Sequence, residues 1–227
     1  MLLPGVPASH WLGRFGEAGI VLPLALALAL LLCVASRSPR PASSWLVPLG
    51  VAALITTVSK VAFIGWGVGI ASIDFTGFSG HAMFAAAIYP MLAHAITGSE
   101  RSRAAALALV CAYFFAALIA AARVSVGAHS VSEATLGFAV GAAASASALW
   151  LARHARQRLP ALWVSLGLAG WLIVMPIQAA PSQTHGMVTR LALELSGHSV
   201  PFTREDLHRA AATPLPAPSR IDASRPR

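Results

Sequence analysis

The chain has 227 residues, 57% of them hydrophobic and 11% charged, with a net charge of +8 and a mean hydropathy of +0.71. That composition excludes an ordinary soluble domain and points to an integral membrane protein. The arginines lie in short loops between apolar runs, not along a groove-reading element, so the excess positive charge is read as topology-setting and no nucleic-acid partner is expected.

Six apolar stretches approach the roughly 20 residues that a helix needs to cross a hydrocarbon core about 30 Å thick. They cover 18–35, 45–66, 78–97, 104–122, 130–152 and 160–179. Lipid leaves no water to satisfy the backbone, and no alternating pattern argues for a barrel, so helices are expected throughout. The fold class is therefore all-α: a polytopic bundle of six transmembrane helices. The first stretch is flanked only by Arg14 and lacks a small-x-small cleavage site, so it is read as a retained span and not a leader. Cys33 and Cys111 both fall inside apolar runs, which gives neither a disulfide framework nor a metal-spaced pair. Trp45, Trp66, Trp150 and Trp163 lie near predicted span ends, where aromatic belts form. In the fifth span Gly137, Gly141 and Ser145 recur every four residues and permit close helix contact.

Alternate loops fix the orientation. Arg37 and Arg40, Arg101 and Arg103, and Arg153, Arg156 and Arg158 share one side, which the positive-inside rule makes cytoplasmic. Both termini are then extracytoplasmic, and in a bacterial inner membrane they face the periplasm. The membrane domain is taken as 1–179 and the remainder, 180–227, as an extracytoplasmic tail with short helices. Within that tail, Thr203 followed three residues later by Asp206 reads as a helix start. From Pro214 the composition turns rich in Pro, Ser and Arg and reads as disordered.

Chemistry gathers at one end of the bundle. The chain has a single lysine, Lys60, within the second apolar stretch. An ionisable group there costs roughly 2.5 to 3.5 kcal/mol unless it snorkels or finds partners. By the six-span topology Lys60, Asp74, Ser79, His81, Arg123, His129 and Glu133 all lie at the extracytoplasmic ends of spans two to five. Independent snorkelling does not produce such convergence; an outward-facing polar pocket between helices does.

His129 and Glu133 are four apart, so they share a helix face, and a carboxylate on one imidazole nitrogen leaves the other free to act. Taken alone the pair reads as a structural hydrogen bond. With Arg123 and Lys60 beside it, it becomes a place for an anion such as phosphate. His81 adds a second imidazole, and the absence of metal-ligand spacing leaves phosphoryl transfer through a phosphohistidine as the reading.

These residues resemble the type 2 phosphatidic acid phosphatases, or lipid phosphate phosphatases. That family carries a lysine followed seven residues later by Arg-Pro, then Pro-Ser-Gly-His, then Ser-Arg, five residues, His, three residues and Asp. Here the corresponding stretches are 60–68, "FSGH" at 78–81 and "ARVSVGAHSVSE" at 122–133. The resemblance implies catalytic roles for His129 as nucleophile, Glu133 as its orienting carboxylate and His81 as general acid. It also implies that Lys60, Arg123, the Ser79 hydroxyl and the Gly80 amide hold phosphate, with no metal and no cofactor. Five positions depart from the pattern: Gly67-Val68 replaces Arg-Pro, Phe78 replaces proline, Ala122 replaces serine and Glu133 replaces aspartate.

The expected partners are the bilayer and a lipid phosphate, with phosphatidic acid, phosphatidylglycerol phosphate, undecaprenyl pyrophosphate and a lipid A phosphate all compatible; hydrolysis and phosphoryl transfer fit equally, and oligomeric state stays open. Two rivals stand beside this reading. "GFSG" at 77–80 also matches the serine motif of rhomboid intramembrane proteases, and a non-catalytic descendant of the phosphatase fold would use the same cluster as an ion-pair network. His94 is read as packing or interfacial, "SGH" at 196–198 as a turn, and His10, His154, His185 and His208 as solvated.

Overall fold

The computed structural model describes residues 8–97, 102–152, 161–178 and 183–212. Among these residues the fold is helical, in the order α1 (Ala8–Arg14), α2 (Ala18–Ser36), α3 (Arg40–Trp66), α4 (Gly80–Thr97), α5 (Arg103–Ser125), α6 (Val131–Ala152), α7 (Ala161–Gln178), α8 (Thr184–Ser196) and α9 (Arg204–Ala212). A 3-10 turn at Ala71–Ile73 interrupts the connection between α3 and α4. Helices α2 to α7 occupy the six predicted apolar stretches. Arg101, Arg153, Arg156, Arg158, His154 and the segment from Pro214 onward lie outside the described residues.

Among the described residues four helical stretches are long and apolar enough to cross a membrane: Ala8–Val34, Arg40–Trp66, Arg103–Ser125 and Val131–Ala152. The chain is thus an integral membrane protein, helical in its described elements. Leu30 on α2, Leu54 on α3 and Phe114 on α5 point outward, as lipid-facing side chains do. Helix α4 sits at the centre instead, with Ala82, Met83, Ala85, Ala86, Ala87 and Ile88 all buried. Enclosed by protein, it tolerates His81, Tyr89 and Pro90 along its length.

Helices α4 and α6 approach closely at two glycines. A Cβ added at Gly141 would meet the Met83 carbonyl oxygen at 2.1 Å, and one at Gly137 would meet the Ser79 carbonyl oxygen at 2.6 Å. Only glycine allows backbones so near. One turn further, Ser145 Oγ donates to the Ala86 carbonyl at 2.8 Å and lies 2.9 Å from the Tyr113 hydroxyl. The small-residue stripe seen in the sequence is this seam.

Trp45 does not join an interfacial belt. Helix α3 starts at Arg40, so Trp45 lies inside it and is 1% exposed within the main core cluster with Leu49 and Met83. Trp66 and Trp150 are exposed at helix ends, while the side chain of Trp163 lies outside the described set. A short helix, α1, also precedes the first predicted stretch and packs against α5.

Between α3 and α4 the chain folds back on itself. Gly67 closes α3 in the left-handed conformation, with φ of 69°. The backbones of Ile70 and Phe75 then exchange hydrogen bonds of 2.9 and 3.0 Å around Asp74. The tail returns to this region. Ala192 of α8 is buried against Val61, Phe63 and Ile64 of α3, and a Cβ on Gly65 would meet the Ala192 carbonyl at 3.1 Å. Beyond α8, Phe202 N–H donates to the Ile64 carbonyl at 2.9 Å. Thr203 and Asp206 exchange backbone-to-side-chain bonds of 3.0 and 3.3 Å that start α9.

Candidate active site

Glu133 stands in the first turn of α6 and is 1% exposed. A buried carboxylate must be fully partnered, and this one accepts from five donors. Oε1 takes the Thr76 amide at 2.9 Å, the Thr76 hydroxyl and Arg204 Nη2 at 2.9 Å; Oε2 takes His129 Nδ1 at 2.7 Å and the Ser130 amide at 3.2 Å. This arrangement fixes the carboxylate in one plane. Its bond to Nδ1 in turn fixes the imidazole and leaves Nε2 as the nitrogen with a free lone pair.

His129 reaches this position through the turn that follows α5. Gly127 takes φ of 70°, and the amides of Ala128 and His129 both donate to the Arg123 carbonyl, at 3.1 and 3.2 Å. The nucleophile candidate is thereby tied to the residue that carries the cation. Burial pushes the His129 imidazole below its ordinary range; the Glu133 hydrogen bond resists, and the charges of Lys60 and Arg123 push in the same direction as burial.

Lys60, Arg123 and His129 all lie near enough to His81 to interact with it electrostatically, so the four groups contributed by α3, α4, α5 and the turn after α5 form one cluster. Gly77, at φ of 139°, lies against the Lys60 backbone, where a Cβ would come within 3.3 Å of both its N and Cα. The Phe78 amide donates to Ser59 Oγ at 3.1 Å. These contacts hold the segment that begins α4 beside Lys60. On the other flank, a Cβ at Gly13 would sit 3.2 Å from Arg123 Nη1, and one at Gly16 would meet His81 Cβ at 2.9 Å. The junction of α1 and α2 therefore covers the two residues closely. Among the described residues Arg123 Nε is buried without a hydrogen-bond partner.

Ser79 and Gly80 differ in what they present. The Ser79 side chain is fully buried, its amide donates to the Glu133 carbonyl at 3.0 Å, and its hydroxyl faces the Ala82 amide at 3.5 Å as a weak cap on α4. Gly80 opens α4, so its amide is one of the donors left over at a helix N-terminus. Among the described residues no group of three His, Cys, Asp or Glu is arranged to hold a metal ion.

Three participants were not legible as such in the sequence. Thr76 supplies two donors to Glu133. Arg204 of α9 bridges Glu133 to Asp74, donating Nη1 to the Asp74 carbonyl at 2.9 Å and pairing with its carboxylate. His208, read from sequence as a solvated tail histidine, places Nε2 2.8 Å from Asp74 Oδ1 because α9 docks beside that loop. The Arg204 hydrogen bond holds the Asp74 carboxyl below its usual range, with His208 adding to the effect. The only sequence signal for any of these was the Thr203–Asp206 cap. "SGH" at 196–198 is a turn, with Gly197 at φ of 73°, and His198 Nδ1 lies 2.7 Å from the Gly65 carbonyl.

The PAP2 superfamily matches residues 17–158, which contain the whole cluster except Arg204 and His208. An uncharacterized 22.5 kDa protein in the cps region of Klebsiella pneumoniae is 33% identical over 202 residues, spanning 87% of this chain and 96% of that protein. No solved structure matches. The histidine, the orienting carboxylate and the flanking cations stand within a family match that extends over most of the helical bundle, and the chain belongs to the PAP2 superfamily.

Proposed function

We propose that the protein is a membrane phosphatase that hydrolyses a lipid phosphate monoester or pyrophosphate through a phosphohistidine, with its site and both termini on the periplasmic side of a bacterial inner membrane and six spans in the bilayer. The observation that carries this reading is the 2.7 Å bond from His129 Nδ1 to a buried, five-donor carboxylate, which leaves Nε2 directed to a substrate beside Lys60 and Arg123. In the first step Nε2 attacks phosphorus, the bond to the leaving oxygen breaks, and His81 delivers the proton that oxygen requires. In the second step His81 takes a proton from water as the water oxygen attacks phosphorus. The P–N bond then breaks and free phosphate leaves. Lys60, Arg123 and the Gly80 amide stabilise the charge on the equatorial oxygens. Arg123 Nε, buried and unpartnered, is a donor suited to one of them.

A serine protease of rhomboid type is the weaker reading. Ser79 is fully buried and its hydroxyl faces a helix amide, where a nucleophile would need a histidine partner and an open path to substrate.

The test is phosphate release from a panel comprising phosphatidic acid, phosphatidylglycerol phosphate, undecaprenyl pyrophosphate and a lipid A phosphate, using purified protein beside a His129→Ala control. If the two are indistinguishable on every substrate, the phosphatase reading is wrong. A pH profile adds a signed expectation. His129 attacks only when neutral, and burial lowers its pKa, so kcat/KM stays high as pH falls past the ordinary histidine value of about 6.5 and declines only below it. An acidic limb centred above about 6.5 contradicts this environment for His129.

A further inference from the structure

Helix α9 brings one side chain into the site from outside the bundle. Arg204 is the first residue of that helix, and the Thr203–Asp206 cap sets the direction in which it leaves the backbone. Upstream, Phe202 lies on Gly67, where an added Cβ would meet the ring at 3.0 Å, and its amide is held by the Ile64 carbonyl. The tail thus crosses the end of α3 at Gly67 and delivers a guanidinium whose Nη2 lies 2.9 Å from Glu133 Oε1. The opposite oxygen of the same carboxylate holds His129.

We propose that Arg204 is a positioning residue for His129, acting through Glu133 and supplied by the C-terminal segment. Glutamate has one more rotatable bond than aspartate, so its carboxylate needs an external clamp to present Oε2 in a fixed direction. Thr76 and Arg204 provide that clamp from the Oε1 side. Arg204 contributes charge as well as geometry. A cation on Oε1 draws negative charge away from Oε2 and keeps the neighbouring imidazole in its neutral, nucleophilic form. The charged and titratable groups around His129 are Glu133 on α6, Lys60 on α3, His81 on α4 and Arg123 on α5, with Asp74 and His208 behind Arg204 and Glu17 beside Arg123. Asp74 neutralises part of the Arg204 charge and anchors its other nitrogen, which keeps the guanidinium from swinging into solvent.

The inference rests on the phosphatase reading for its catalytic meaning, and the experiment separates the two. Full-length protein carrying 13C-labelled histidine, as wild type, Arg204→Ala and Arg204→Lys, is titrated by NMR; the His129 resonance is assigned by its loss in His129→Gln. Activity is read in parallel on a soluble phosphomonoester. Removing the guanidinium is expected to shift the His129 midpoint to higher pH and to lower kcat about 10-fold or more, with KM within about twofold. Lysine is expected to return the midpoint toward wild type while recovering only part of kcat, because it keeps the charge but not the two-pronged bridge. A midpoint unmoved in Arg204→Ala overturns the proposal, even if kcat falls, since a merely structural contact would give that result. Arg204→Gln replaces the alanine variant if that one aggregates. If wild type releases no phosphate, the phosphatase reading fails, and the titration alone still decides whether Arg204 controls His129.

Discussion

A His129→Ala variant is expected to lose phosphate release by at least about 10³-fold, because the covalent route disappears and only binding and charge stabilisation remain. Glu133→Gln is expected to fall by about 10² to 10⁴-fold, although it keeps the shape of the side chain. A neutral amide cannot satisfy five donors, and it no longer holds the imidazole in one tautomer with the basic nitrogen outward. The measurement is single-turnover phosphate release together with quenching of the reaction on 32P-labelled substrate. Wild type should retain alkali-stable, acid-labile label on the protein, and the His129→Ala protein should retain none. Label persisting at undiminished level in the variant would place the nucleophile elsewhere.

The second large effect concerns stability. Gly141→Ala puts a methyl group 2.1 Å from the Met83 carbonyl oxygen, which forces α4 and α6 apart along the whole seam. The expected cost is about 3 kcal/mol or more, at the upper end of overpacking penalties because the obstacle is backbone and not a movable side chain. Gly19→Ala on α2 is the matched control: a Cβ there meets nothing within 4 Å, so that substitution should be neutral or slightly stabilising. Thermal unfolding of the two variants in the same detergent compares them directly. Equal midpoints would mean that the helices are not in contact at Gly141.

Much of this was legible beforehand, for identifiable reasons. Apolar runs long enough to span lipid mark helices because no other unclosed structure satisfies the backbone there, and α2 to α7 occur in those runs. The i, i+4 pair of His129 and Glu133 and the four-residue recurrence of Gly137, Gly141 and Ser145 were readable because helix periodicity alone sets them. Trp45 falls at the end of the apolar run but inside the helix, because the start of α3 depends on Arg40 and Pro41, which lie before the apolar run proper. Helix α1 leaves no sequence signature, because its seven residues carry too mixed a composition to show a period. Arg204 was invisible as a site residue for another reason. It contacts Asp74 and Glu133 across 130 and 71 positions, and only the docking of α8 and α9 onto α3 determines where its side chain ends.

The seam between α4 and α6 also bears on how the two imidazoles keep their spacing. His81 rides on α4, and Glu133, which aims His129, rides on α6; main chain meets main chain between them at Gly137 and Gly141, and the Ser79 amide bonds the Glu133 carbonyl. The separation of the two helix backbones that carry them is therefore set by main-chain contact. When the surrounding bilayer thins, thickens or changes its acyl chains, outer helices can tilt to follow it. The close contact at Gly137 and Gly141 ties α4 to α6, so under the proposed mechanism a tilt of the outer helices is expected to leave the backbones that carry His81 and Glu133 in register.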